Sequence, residues 1–275
     1  MNQLQKAERL RALHDRPGIF VVPNPWDAGT ARLLAGMGFE ALATTSAGLA
    51  YALGRPDGQG KVSRAETLSN AAQIVAATDL PVSADLENGF GDRPEDAAET
   101  IRQAAAIGLV GGSIEDATGD RQQPIYDFEL AVERVAAAAA AAREFPFPFT
   151  FVARAENFLN GRPDLDDTIK RLQAFEAAGA DVLFAPGLPS LDAIRQVCAA
   201  VGKPVNVVIG ATPYTLQELG AAGVRRVSTG SSLARAALRG LKDAATGILA
   251  SGTFDYAGEA IPYGEVNGLM GDGKD

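Results

Sequence analysis

Eight short apolar, β-branched runs recur along the chain, each followed by a longer alanine-rich stretch, and this alternation constrains the fold more than any other feature. The runs fall at residues 19–22, 41–44, 82–85, 109–114, 149–153, 181–184, 205–208 and 224–228. Strands that are apolar along their whole length need cover on both faces, which a parallel sheet wrapped by helices provides. Eight strand-helix units without a break in composition predict an α/β fold, a parallel (β/α)8 barrel of the TIM type, with a doubly wound open sheet as the alternative. A leading helix is expected over residues 3–13, another over 63–77, and an alanine-rich one over about 126–144 between Pro124 and Pro146. Asn24-Pro25-Trp26-Asp27 caps a helix, and Pro94-Glu95-Asp96 opens one with proline and acids where the first turn favours them. Residues 45–58 read as a glycine-rich loop. Beyond Ser251, the glycines at 252, 258, 264, 268, 271 and 273 argue against a ninth core element. The expected division is one barrel domain over residues 1–250 and a glycine-rich tail over 251–275.

A chain of 275 residues that is 47% hydrophobic can bury the core of one barrel-sized domain. Its 25 Lys and Arg against 34 Asp and Glu give a net charge of -9, which disfavours nucleic acid and anionic membrane surfaces as partners. An anionic metabolite would have to be drawn in by a metal or by local arginines. The lone Cys198 excludes an internal disulfide framework and thiolate zinc clusters. The first residues lack the apolar centre of a signal peptide and no apolar run is long enough to span a bilayer, so the expected location is cytoplasmic.

In such a barrel the carboxyl ends of the strands converge on the active site. The third run ends in acid, Asp85-Leu86-Glu87-Asn88-Gly89. If strand geometry persists, Asp85 and Glu87 point to one side with Cα atoms about 6.6 Å apart. Two carboxylates that close repel unless a cation lies between them, and a hard divalent ion such as Mg²⁺, with Mn²⁺ as a substitute, takes oxygen ligands and leaves positions open for substrate. Taken alone, the same acids also fit a solvated surface turn. The other strand ends deliver Glu115 and Asp116, Arg154 and Glu156, and Asn206, while the loop after the second run adds Thr45, Ser46 and Asp57. Acids gathered around one arginine favour a metal-plus-anion site over scattered surface charge.

The segments Ala84-Asp85-Leu86-Glu87-Asn88-Gly89-Phe90-Gly91, Ser113-Ile114-Glu115-Asp116 and Ala153-Arg154-Ala155-Glu156 resemble the isocitrate lyase/phosphoenolpyruvate mutase superfamily. The resemblance runs from about residue 20 to 239, with further local similarity in Gly54-Arg55-Pro56-Asp57 and Gly210-Ala211-Thr212-Pro213. It implies a modified barrel that binds Mg²⁺ through Asp85, Glu87 and Glu115, directly or through water, with Asp57 nearby. It further implies that backbone amides around Thr45, Ser46 and Ala47 hold a substrate carboxylate, that Arg154 meets the developing enolate, and that C-terminal helices exchange between subunits of a homo-oligomer, a dimer or a tetramer. The substrates implied are small 2-oxo acids or their precursors, and the bonds broken are C–C or C–P. Mg²⁺ chelated by a 2-oxo carboxylate acts as a Lewis acid on the ketone, and a guanidinium aimed at the same oxygen stabilises charge that develops only in the transition state.

Departures from the pattern narrow the activity. Lyases of the superfamily carry a Lys-Lys/Arg-Cys-Gly-His run after the fourth strand, whereas this chain has Ala117-Thr118-Gly119-Asp120-Arg121-Gln122-Gln123, without cysteine, histidine or lysine. Glu87 stands where an aspartate is usual, and Ala185-Pro186-Gly187 where lyases have a glutamate. Isocitrate or methylisocitrate cleavage is therefore disfavoured. The expected function is a Mg²⁺-dependent lyase or decarboxylase of a small 2-oxo acid, with Arg154, Asp57 and Glu115 catalytic and Thr45, Ser46, Ala47, Asp85, Arg154 and Asn206 on the substrate. Phosphonopyruvate-type C–P chemistry and a non-catalytic 2-oxo acid binder are the alternatives. His14 reads as a packing or surface residue, Cys198 as a core thiol, and no lysine is placed for Schiff-base chemistry. Thr229-Gly230-Ser231-Ser232 fits either a phosphate cradle or a helix N-cap.

Overall fold

The eight apolar runs form eight parallel strands, and helices separate them as the alternation demands. The computed structural model describes residues 1–210 and 214–271, so Ala211, Thr212 and Pro213 of the last motif above lie outside the described residues. In chain order the elements are α1 (Gln3–Asp15), β1 (Phe20–Val22), α2 (Ala28–Gly36), β2 (Leu42–Ala43), α3 (Ser46–Ala52), α4 (Arg64–Ala76), β3 (Val82–Asp85), α5 (Pro94–Ala106), β4 (Gly111–Glu115) and α6 (Phe128–Ala142). They continue with β5 (Thr150–Arg154), α7 (Leu165–Ala177), β6 (Val182–Phe184), α8 (Leu191–Ala200), β7 (Val205–Val208), α9 (Leu216–Ala221), β8 (Arg226–Ser228), α10 (Ser232–Ser251) and α11 (Tyr263–Met270).

The sheet order is β1-β8-β7-β6-β5-β4-β3-β2. A hydrogen bond from Ala43 N to Pro23 O, 3.1 Å, joins the two ends of that order, so the sheet is a nearly closed barrel and the open-sheet alternative fails. Register sets which strand ends are neighbours: Glu115 lies beside Arg154, Arg154 beside Phe184, Phe184 beside Asn206, and Asn206 beside Arg226.

Phe149, Phe151, Leu172, Phe175 and Leu183 fill the layer between strands and outer helices. The alanine-rich α6 is buried along one side, at Ala131, Ala138, Ala141 and Ala142, where small side chains let it lie close to the alanines of α5. At the amino-terminal end of the barrel, Ala7, Leu10 and Leu13 of α1 pack on Phe20, Val22 and Val110 and cover the strand starts. His14 belongs to this cover: it is buried, with its ring edge-on to Phe20 at 4.9 Å, and burial pushes its pKa down to about 3.

Two stretches differ from the sequence reading. Residues 45–58 are not loop throughout, because α3 begins at Ser46, with Thr45 as N-cap accepting from Gly48 N at 3.2 Å. Gly48 permits this close start, since a Cβ there would stand 2.6 Å from Thr45 Cγ2 and 2.9 Å from Trp26 Cβ. Among its described residues the tail contributes none that is buried, but it is helical at α11, whose last carbonyl, that of Met270, accepts from Arg32 Nη1 of α2 at 2.8 Å.

Candidate active site

At the carboxyl end of the barrel Arg154, the last residue of β5, is the shared partner of three acids. Its Nη1 donates to Asp85 Oδ1 at 3.0 Å and lies 3.2 Å from Glu115 Oε2, while Nε and Nη2 reach Glu156 Oε1 at 3.0 and 2.6 Å. The guanidinium also stacks over the Phe184 ring, Cζ to centroid 4.9 Å. These contacts fix the plane of a side chain that otherwise has many rotamers.

Each acid is held from behind. Asp85 Oδ2 accepts from the Ser46 hydroxyl at 2.9 Å and from the Ser46 amide at 3.3 Å, and the Asp85 amide donates to Thr44 Oγ1 at 3.0 Å. Glu156 is 3% exposed, and its amide donates to Asp116 Oδ1 at 2.8 Å. Asp116 in turn is paired with Arg171 Nη1 at 3.1 Å, so a second buried ion pair anchors the turn that carries Glu156.

The expectation that strand geometry continues to Glu87 does not hold. The strand ends at Asp85, and Glu87 takes a left-handed conformation with φ 51°, unusual for a residue with a Cβ and typical of functional sites. Its carboxyl still faces the site. Arg134 of α6 secures this turn by donating to the Asn88 and Gly91 carbonyls, and Tyr126 donates to Asp92 Oδ1 at 2.7 Å.

Two adjoining cavities meet at Ser46, Asp57, Arg154 and Leu159. The inner one, 190 Å³, runs into the barrel past Thr45, Ala47, Asp85, Ser113 and Asn206 to Arg226. The outer one, 810 Å³, is walled by Glu87, Glu115, Glu156, Asn88 and the start of the 117–119 turn. Asp85, Glu87, Glu115, Arg154, Asp57, Ser46, Thr45, Ala47 and Asn206 therefore all reach one of the two. Asp116 does not: it is structural.

Negative charge exceeds positive here. Burial pushes the Glu87 carboxyl up to about 8, with the charges of Asp85 and Asp57 adding to the effect. Asp57 is raised by burial and then by Asp85, while Glu115 and Glu156 are raised by burial against the pull of Arg154. Arg154 is held well above its ordinary value, because Glu115, Glu156 and Asp85 outweigh its own burial. Among the described residues no three His, Cys, Asp or Glu side chains stand together as a metal-ligand group, and Asp85 and Glu115, two of the acids the resemblance gives to Mg²⁺, converge on Arg154 instead. The donor set nonetheless suits a hard cation, since acids with oxygen donors exceed the single guanidinium among them.

One site residue was placed at a strand end by the sequence but given no role there, and another was missed. Glu156 clamps Arg154, and its signal was the two-residue spacing already noted for Asp85 and Glu87. Arg226 lines the inner cavity, and its signal was a pair of arginines inside a short buried strand. The phosphate cradle at residues 229–232 does not form, because the Thr229 and Gly230 amides both donate to Asn24 Oδ1, at 2.8 and 2.9 Å. Cys198 packs against the core with its thiol pushed up to about 11 by burial.

The sequence profile of phosphoenolpyruvate phosphomutase matches residues 10–249. A candidate lyase/mutase from Burkholderia cenocepacia J2315 is 58% identical, covers 96% of this chain and 95% of its own, and superposes with a TM-score of 0.94. An uncharacterised protein of Mycobacterium tuberculosis is 32% identical over 94% of this chain and 95% of its own length. The oxaloacetate decarboxylase of Bradyrhizobium diazoefficiens is 29% identical over 77% of this chain and 73% of its own.

Proposed function

We propose, from the premise that the chain belongs to the isocitrate lyase/phosphoenolpyruvate mutase superfamily of enzymes, that it is a divalent-metal-dependent carbon–carbon lyase or decarboxylase of a small 2-oxo acid. The observation that carries the reading is the position of Arg154, held flat between Asp85, Glu115 and Glu156 at the junction of the two cavities. Asp85, Glu87 and Glu115 would hold Mg²⁺, which supplies Lewis-acid polarisation of the ketone. The chain's own groups do the rest. The Arg154 guanidinium donates to the ketone oxygen as negative charge develops on it, and its fixed plane means that little reorganisation accompanies the step. Glu156 and Phe184 keep that plane, Ser46 and Ala47 border the substrate carboxylate, and Asp57 closes the cavity beside them. The outer cavity receives the departing fragment.

The 117–123 segment bears on which lyase this is. Relatives include proteins named 2-methylisocitrate lyase, but this segment carries no cysteine, histidine or lysine to move a substrate proton. Ala117 bridges Ile125 in an antiparallel pair, and Thr118 N donates to Pro124 O at 3.1 Å, so the segment is a tight turn. An oxaloacetate-like substrate, whose enolate takes its proton from water, fits such a mouth better than methylisocitrate.

Assembly belongs to the same reading. Leu238, Leu241 and Leu249 of α10, with Phe254 and Tyr263 beyond it, are exposed apolar side chains, and a second copy of the chain is the proposed cover. Light scattering showing a monomer would remove that part. The catalytic part is tested with oxaloacetate, methylisocitrate and phosphonopyruvate, with and without Mg²⁺, on wild type and Asp85→Ala. Metal-dependent turnover of oxaloacetate alone, abolished in Asp85→Ala with the melting curve intact, is the expected result. Turnover of phosphonopyruvate would transfer the reading to C–P chemistry, and saturable binding without turnover of any compound would make the protein a binder.

A further inference from the structure

Among the described residues, Arg134, Arg171 and Arg226 are buried and Arg154 nearly so, and three of these four have acids or carbonyls to receive their hydrogen bonds. Arg154 has its acids, Arg171 pairs with Asp116 and Asp167, and Arg134 donates to backbone carbonyls of the Glu87 turn. The fourth, Arg226, opens β8 with 5% of its surface exposed, and its Nε and Nη1 have no hydrogen-bond partner among the described residues. Burial lowers its pKa to about 10, which leaves it cationic at neutral pH. A bare buried guanidinium opposes folding, so a chain that satisfies three such groups and leaves one open on a cavity wall is holding it for something else.

Its surroundings define that something. Arg226 lines the inner cavity two residues, about 6.6 Å of strand, below Ser228 at the mouth. Its neighbour in register, Asn206, donates Nδ2 to Ser228 Oγ at 3.1 Å and has an unpartnered Oδ1. His14, beneath it, is held neutral. The acids that line the cavity, Asp57 and Asp85, lie at its upper end, so an anionic ligand is repelled from the mouth and drawn to the floor. A phosphate is a poor fit, because the nearby amides of Thr229 and Gly230 are already taken by Asn24. A carboxylate matches the planar fork of a single guanidinium.

We propose that Arg226 is a carboxylate-binding subsite at the floor of the barrel, and that it holds a carboxylate which stays on the product. Pairing stabilises the charge of a carboxylate, so one that departs as neutral carbon dioxide would lose that pairing on the way to the transition state. The departing group therefore lies at the outer cavity and the retained carboxylate at Arg226. The identity of the ligand rests on the 2-oxo acid reading, whereas the existence of the subsite does not.

Calorimetry of pyruvate and of propionate, its analogue without the oxo group, separates the two. Both are titrated with Mg²⁺ into wild type, Arg226→Met and Asp85→Ala, alongside melting curves. Arg226→Met is expected to melt higher than wild type, because an uncompensated charge gives way to an apolar chain, and to bind both anions weaker by about tenfold or more. Arg226→Gln carries the same binding expectation if the methionine variant does not fold. Anion affinity unchanged by either substitution, with a lowered melting point, overturns the subsite and makes Arg226 a packing residue. Pyruvate bound no better than propionate, with both lost on removing Arg226, keeps the subsite and overturns the 2-oxo acid reading. A wild-type protein that binds neither anion overturns both.

Discussion

The mouth and the floor of the barrel each bury an arginine, and they treat it in opposite ways. At the mouth Arg154 is surrounded by more carboxylate than it can neutralise, and Glu87 and Glu115 are pushed toward their protonated forms. At the floor Arg226 has no acid beside it among the described residues, and burial lowers it. One region calls for another cation and the other for an anion. The ligand proposed above, a 2-oxo acid with its metal at the mouth and its retained carboxylate at the floor, would meet both demands, and polarity along the barrel axis would orient it before any single contact is made.

The comparison breaks most sharply in stability. Arg154→Met strands Glu115, Glu156 and Asp85 together without their cation, and a loss of about 3–5 kcal/mol is expected from denaturant melts; an unchanged midpoint would mean the mouth acids are already neutral and the contrast with Arg226 is false. Arg154→Lys keeps the charge but loses the fork that spans Asp85, Glu115 and Glu156. Turnover should fall roughly a hundredfold, the scale of a lost donor to a developing oxyanion, with stability nearly kept. The smallest effect belongs to the turn over the outer cavity. Arg121→Ala and Gln122→Ala, both exposed, should change turnover by less than about threefold, within the range of surface substitutions. A larger drop would shift proton handling from the strand ends to the turn.

The barrel was legible because its strands are apolar throughout, and that pattern is a global demand for cover on both faces. What remained hidden depended on local geometry. Nothing in residues 45–58 advertises that Gly48 allows α3 to start against Trp26, since the glycine reads as a breaker until the close approach is known. Glu87 fell on the expected side of the site but by a left-handed turn rather than by strand alternation, because the Asn88 and Gly91 carbonyls are fixed by Arg134 from a helix 43 to 46 residues away. Asp85, Glu87 and Glu115 were expected at one end of the barrel and border the two cavities there, yet the sequence carries no sign that Arg154 would stand between Asp85 and Glu115. Arg226 was overlooked for a plainer reason: a charged residue in an apolar strand looks like a surface position until the register turns it inward.

The cover that α1 lays over the strand starts has a kinetic consequence. A barrel stoppered at one end is a blind alley, so traffic in and out shares a single doorway. For a cleavage that yields two fragments, the one nearer the doorway departs first and the one lodged at the far end departs last. Release is then compulsory in order, and only the late-leaving fragment, added back, competes with fresh substrate for the empty enzyme.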